Sequence, residues 1–197
     1  MSFVTNDEVA ELFVQSGALL RGHFVLTSGR HSDQYFEKFD VLRWPEHVAT
    51  LCSELAQRVR AAGIEATVVL GPTTLGIVLA FELARQLGLP AAYGEKNAEG
   101  KRFVRRADHL CAQDRVLIVD DILTTGGSIR ECQALVESVG AQTVGAAVLV
   151  DRANGTLDLG APLVSTLAVA VQSWEPDEVP DWLAAIPITR PGSTGKK

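Results

Sequence analysis

The stretch Val116–Ser128, VLIVDDILTTGGS, restricts the fold more than any other part of the chain. Val116–Val119 is an apolar, mostly β-branched run that reads as a buried strand ending at two adjacent acids, Asp120 and Asp121. Two threonines, two glycines and a serine follow, and a helix runs from about Gly127 to Val139 before Gly140 stops it. Strand, loop and helix in immediate succession form the unit of an α/β parallel sheet. Glycines let the backbone approach a ligand, and the free N–H groups of a helix start favour an anion. Thr124, Thr125 and Ser128 add hydroxyl donors, so the loop suits a phosphate. No Gly-Lys-Ser/Thr occurs, so this is not the nucleotide P-loop. Two carboxylates would repel a phosphate, yet they accept hydrogen bonds well from a diol. A phosphate on one side and a diol on the other describe a ribose 5-phosphate.

The rest of the chain repeats the alternation. Thr5 and Glu8 have capping-box spacing before a helix whose Val9, Leu12 and Phe13 share a face, with Gly17 as its stop. Residues 22–39 read as two short strands around a Ser-Gly turn. A helix begins at Pro45, carries Val48, Leu51, Cys52, Leu55 and Val59 at helical spacing, and ends at Gly63. Ala66–Leu70 reads as a strand. After Gly71-Pro72 a helix runs to about Leu87, apolar on most sides. Ala91–Tyr93 reads as a short strand and residues 94–109 as a polar, charged loop. Thr143–Val150 and Val164–Val171 read as strands, Asp177–Ala185 as a last short helix, and the tail from Arg190 as frayed. Near-continuous apolar strands suit a sheet covered on both faces. In such sheets ligands bind beyond the carboxyl ends of the strands, here at Gly71, at Asp120 onward and at Asp151.

The 197 residues read as one domain. Lysine plus arginine total 18 against 24 acids, a net charge of −6, which argues against a duplex-DNA face. Cys52, Cys111 and Cys132, with His23, His31, His47 and His109, show no zinc-ligand spacing. The opening MSFVTNDEVAELF lacks a signal peptide's apolar stretch, and no apolar run reaches the roughly 18 residues of a membrane span. The expectation is a cytosolic protein without nucleic-acid or membrane partners.

Val116–Ser128 resembles the phosphoribosyl-diphosphate signature of type I phosphoribosyltransferases. Other segments are similar to orotate phosphoribosyltransferases within that family. Leu26–Ser32 followed by Tyr35-Phe36 resembles their N-terminal hood, and Gly71–Gly76 their pyrophosphate-side loop. Val150-Asp151-Arg152 resembles the strand end that presents an orotate-binding arginine. Pro187–Ser193 resembles the closing segment of one subgroup. The resemblance spans about residues 8–193. It implies the type I phosphoribosyltransferase fold, with a core at about 45–155 and a small hood built from about 1–40 and 160–190. It also implies the transfer of a phosphoribosyl group from phosphoribosyl diphosphate to orotate, giving orotidine 5′-phosphate and diphosphate in pyrimidine (UMP) synthesis.

The resemblance assigns roles by position. Asp120 and Asp121 bind the ribose hydroxyls, and their charge favours the developing ring cation. Ile122, Leu123, Thr124, Thr125, Gly126, Gly127 and Ser128 hold the 5′-phosphate end, with Thr124 also touching orotate. Arg152 pairs with orotate, the alternative being a surface ion pair with Asp151 or Asp158. Tyr35 and Phe36 either stack on the orotate ring or pack within the hood. Residues 94–109 resemble a mobile loop that closes over the diphosphate, often from a neighbouring subunit of a homodimer, with Lys96 as the catalytic lysine. Five of the 18 cations (Lys96, Lys101, Arg102, Arg105 and Arg106) fall within residues 96–106, although Glu95, Glu99 and Asp108 also fit a solvated charged loop. Mg2+ is the implied cofactor, held mainly by substrate and water, with no protein ligand set.

Some departures limit the transfer of roles. Thr27 and Leu75 stand where some orotate enzymes carry lysine, the lid lacks a Lys-x-His pair, and Val179–Trp182 replaces a Cys-Pro-x-Cys. The Gly71–Gly76 loop is bulkier than its glycine-rich form. Two other readings remain: a phosphoribosyltransferase for uracil or a purine, and a non-catalytic phosphoribosyl-diphosphate sensor that regulates transcription.

Overall fold

The computed structural model describes residues 6–26, 28–153, 155–169 and 172–191. The Thr5 end of the capping box, Thr27, the last residues of the 164–171 strand and the tail beyond Pro191 lie outside them. In chain order, helix α1 (Asn6–Gln15) precedes the hairpin β1 (Leu19–Val25) and β2 (His31–Phe36), followed by the short α2 (Lys38–Leu42) and the long α3 (Pro45–Ala61). Then come β3 (Val68–Pro72), α4 (Leu75–Leu87), β4 (Ala91–Lys96), β5 (Arg102–Phe103), β6 (Arg115–Leu123), α5 (Gly127–Ser138), β7 (Gln142–Asp151) and β8 (Leu163–Ala168). The chain closes with β9 (Ser173–Trp174), α6 (Asp181–Ala184) and β10 (Ile188–Thr189).

Six strands form the main sheet in the order β5-β4-β3-β6-β7-β8, all parallel but the antiparallel edge strand β5. Alternation along each strand sends its side chains to two cores. Leu117, Val119, Ala147 and Leu149 face α1, α3 and α4, whereas Val116, Ile118, Ala146 and Val148 face α5. Pro45 opens α3 at a position where a missing N–H costs nothing. The hood is a four-stranded sheet ordered β10-β1-β2-β9. Arg30 ties it together, donating to Ser173 Oγ at 2.9 Å and pairing with Glu175. His23 does the same, with Nδ1 3.0 Å from the Ile186 carbonyl and Nε2 2.6 Å from His31 Nδ1.

Several boundaries differ from the sequence reading. Leu163–Ala168 pairs with β7 in the main sheet, so the region from 160 is not all hood. The last helix is only Asp181–Ala184, because Pro180 stands before it in an extended conformation. Residues 94–109 are not an open loop: Glu95–Lys96 pairs with Arg102–Phe103 as a hairpin on the sheet edge. No helix among the described residues is long and apolar enough to cross a membrane.

Candidate functional site

The cleft lies where the sheet changes direction. From β3 the chain moves outward to β4, and from β6 it moves the other way to β7, so the crevice between β3 and β6 is the topological switch point. β3 pairs with β6 only from Val68↔Val116 to Leu70↔Ile118, while β7 follows β6 as far as Leu123↔Asp151. Beyond Ile118, one edge of β6 is therefore open. Asp120 and Asp121 lie on this half-paired end, inside the strand rather than after it.

Unpaired amides at a strand edge need acceptors. On this open edge the Ile122 N–H donates to Asp121 Oδ1 at 2.6 Å, and the Asp121 N–H also reaches Asp120 Oδ1 at 2.9 Å. The same bonds orient the carboxylates. As neighbours on a strand they leave on opposite sides. Asp120 interacts with Ser128 on the α5 side, and Asp121 meets Lys38 on the hood side, Nζ to Oδ2 3.0 Å. Burial, and then the charge of Asp121, push the Asp120 carboxyl up from 3.8 to about 6.

Two adjoining cavities flank the acids. A small one, ≈ 100 Å³, is lined by Ile122 to Ile129 and Asp120. Here the backbone turns through Gly126 at φ +77, where a Cβ would lie 2.7 Å from Leu157 Cδ2, so only glycine fits. Arg130 Nη1 braces the loop from outside on the Thr125 carbonyl at 2.7 Å. The larger cavity, ≈ 430 Å³, runs from Lys38 and Phe39 past Thr73 and Thr74 to the acid pair. The two cavities share Asp120, Ile122 and Ser128. A small concave cradle thus opens directly onto paired carboxylates and a roomier chamber.

The other sequence candidates are placed unevenly. Arg152 follows β7 and is tied to β6 by its own N–H on the Leu123 carbonyl at 2.9 Å. Neither ion pair open to it in sequence forms. Asp151 instead accepts from Ala153 and Gly155 N–H groups, and Asp158 from Gly160. Arg152 Nε is buried without a partner, and burial lowers the guanidinium pKa. A half-buried cation with an unused donor is suited to an anionic ligand. Phe36 is buried against Phe13 with centroids 6.0 Å apart, so its ring packs in the core and is not a stacking platform. Tyr35, on the other face of β2, is half-buried beside Phe24.

The cations of residues 94–109 are largely engaged. Lys96 pairs with Glu131 at 2.9 Å, and Arg105 with Glu95. Arg102 is only 5% exposed, donating to the Gly94 carbonyl at 2.8 Å and to Ser128 Oγ at 3.1 Å. It is turned inward onto Ser128 rather than out into a solvated lid, which its place in a charged run concealed. Lys38 was also missed, because a lone lysine in an ordinary polar segment carries no spacing signal. Among the described residues no three His, Cys, Asp or Glu side chains cluster as metal ligands. Burial raises the Cys52 and Cys132 thiols to about 12, which keeps them as inert core groups.

The family model described as the phosphoribosyl transferase domain matches residues 40–178. A protein named orotate phosphoribosyltransferase from Desulforamulus reducens is 40% identical over 190 residues, 96% of this chain and 98% of that protein. One of the same name from Pelotomaculum thermopropionicum is 43% identical with the same coverage. Among solved structures, orotate phosphoribosyltransferase from Aeropyrum pernix superposes with a TM-score of 0.70 at 31% identity, covering 82% of this chain and 93% of that one. An adenine phosphoribosyltransferase from Thermoanaerobacter pseudethanolicus, at 23% identity and TM-score 0.59, shares the fold.

Proposed function

Because the chain belongs to the phosphoribosyl transferase family, we propose that its cleft transfers the phosphoribosyl group of phosphoribosyl diphosphate to orotate, a step of pyrimidine biosynthesis. The observation that carries this reading is the phosphate cradle of Thr124–Ser128 opening onto Asp120 and Asp121, with a second chamber beyond them. The 5′-phosphate takes the cradle, where N–H groups and hydroxyls receive it. The acid pair receives the ribose hydroxyls. The bond from the anomeric carbon to diphosphate breaks as the bond to a ring nitrogen of orotate forms. The transition state resembles a ring cation, which the two carboxylates favour electrostatically.

No protein nucleophile is needed, so the chain's task is to orient and neutralise. Arg152 offers a planar fork to the orotate carboxylate. Asp120 and Asp121, whose hard oxygens suit Mg2+, would hold it directly or through water. The chemistry such an ion would supply is neutralisation of the leaving group. For Lys96 to reach diphosphate it must leave Glu131, an exposed pair whose exchange costs little.

The reading includes a cytoplasmic homodimer with residues 94–109 shared across its interface. Support for a partner surface comes from α4, which is apolar around most of its circumference yet leaves Phe81 62% exposed and Val78 exposed along an apolar groove shared with Leu42 and Pro45. A helix of that composition calls for cover on its outer side. Sedimentation of wild type as a dimer and of Phe81→Glu as a monomer is the expected result.

The test of function is a mixture of protein, orotate, phosphoribosyl diphosphate and Mg2+, followed by orotate absorbance. Loss of absorbance is expected. Turnover of uracil or hypoxanthine instead would reassign the base, and tight substrate binding without turnover of any base would indicate a sensor. In the same assay Arg152→Ala raises the orotate KM by about tenfold or more, with the phosphoribosyl diphosphate KM little changed. Unchanged orotate saturation removes Arg152 from the site.

A further inference from the structure

The larger chamber presents a charge problem that the family signature does not solve. If the 5′-phosphate fills the small cradle and the ribose spans the acid pair, the diphosphate has to lie in the larger chamber. That chamber already holds two carboxylates, Asp120 and Asp121. A polyanion beside them needs a cation, and among the described residues lining the chamber Lys38 is the only one. Lys96 and Arg102 pair with Glu131 and Arg105 with Glu95, outside the lining of this chamber.

We propose that Lys38, from within the chamber and in addition to Lys96 and magnesium, binds the diphosphate of the substrate and bridges it to Asp121. The assignment rests on the transfer reading above and adds to it a residue outside the signature. Lys38 opens α2, directly after the hood strand β2, so the fold brings it across the cleft to β6. Its Nζ lies 3.0 Å from Asp121 Oδ2 and 3.3 Å from Oδ1. An ammonium carries three donors. The two oxygens of one carboxylate occupy one side of it and leave donor capacity for a phosphate oxygen. The side chain is 44% exposed while Asp121 is 8% exposed, so the carboxylate is the fixed end of the pair and the lysine the end open to the chamber. The pair has two consequences. Lys38 screens Asp121 from the incoming diphosphate, and Asp121 in turn holds the ammonium at the junction of ribose and leaving group. As charge builds on the departing oxygen, a cation already at that point stabilises it without rearrangement.

The test uses the intact protein with Lys38→Met and Lys38→Arg. Calorimetric titration with magnesium diphosphate reads binding without turnover, and steady-state assays read the two KM values. Lys38→Met is expected to weaken diphosphate binding and raise the phosphoribosyl diphosphate KM by about tenfold or more, with the orotate KM within about threefold and most of the loss restored by Lys38→Arg. If Lys38→Met does not fold, Lys38→Gln, which keeps a donor to Asp121, carries the same expectation. Diphosphate affinity within about threefold of wild type overturns the assignment, as does a loss that Lys38→Arg fails to recover. Wild type that binds magnesium diphosphate but turns over no base sinks the transfer reading instead, and the same titration still decides Lys38.

Discussion

Asp120→Asn is expected to raise the melting temperature of the unliganded protein near neutral pH while lowering turnover by about 10²–10³-fold. Both effects have one cause. The carboxyl is held at about 6 instead of 3.8, first by burial and then by the charge of Asp121, against the smaller pull of the Asp121 N–H, Ser128 and Lys38. Between those two values the native protein keeps a proton that the unfolded chain has released. Stability therefore falls as pH rises through this window, and the full penalty, roughly 3 kcal/mol, is present above it. Asparagine keeps the oxygen that accepts the Asp121 N–H and removes the charge. Each kcal/mol recovered lifts Tm by about 2–4 °C in a domain of this size. Below the unfolded value of 3.8 both proteins are neutral at this position and the gap closes. Turnover moves the opposite way because the ribose hydroxyls lose an ionised acceptor, and wild-type kcat/KM should fall as pH drops below about 6. Thermal melts of both proteins across pH decide it. A variant no more stable than wild type near neutrality, or a gap indifferent to pH, contradicts the argument.

Gly71→Ala is expected to cost the fold itself. A Cβ on Gly71 would stand 2.0 Å from the Gly76 carbonyl oxygen, 2.6 Å from its carbon and 2.9 Å from Ala80 Cβ. Two of these atoms are backbone, so no rotamer change relieves the clash. The end of β3 lies directly against the first turn of α4, and separating them would reshape Thr73 and Thr74, which line the larger chamber. Overpacking a core usually costs about 1–3 kcal/mol, and a backbone clash of this depth belongs at or beyond the top of that range. Gly127→Ala is the control: its Cβ would meet only Thr125 Oγ1, at 3.8 Å. That variant should melt near wild type. Soluble Gly71→Ala with a wild-type melting curve would show that β3 and α4 can part at little cost.

Much of the site was legible because it is local in the chain. The acids, hydroxyls and glycines of 120–128 act through one loop, and a contiguous loop shows itself in one line of sequence. The same holds for the alternation of strands and helices, since periodicity is a property of neighbours. What failed was long-range or depended on which face a residue takes. Phe36 and Tyr35 are adjacent, and only the side on which β2 meets α1 decides that Phe36 is core. Arg102 looked like its neighbours Lys101 and Arg105, but strand pairing turns it inward onto Ser128. The 94–109 loop contained a hairpin that polar residues do not announce, because an edge strand has little to bury.

By itself, the sequence determined an α/β parallel sheet, a glycine-rich turn between a strand and a helix, and a carboxylate pair at the end of that strand. Each follows from side-chain period or from the backbone freedom of glycine, and both are local. Only the tertiary structure decided what surrounds that pair. β3 parts from β6 after Leu70↔Ile118, which opens the cleft, and the hood brings Lys38 to Asp121 from 83 residues away. Electrostatics acts through space, so the charge on Asp120 and the partner of Asp121 were settled by chain closure and burial.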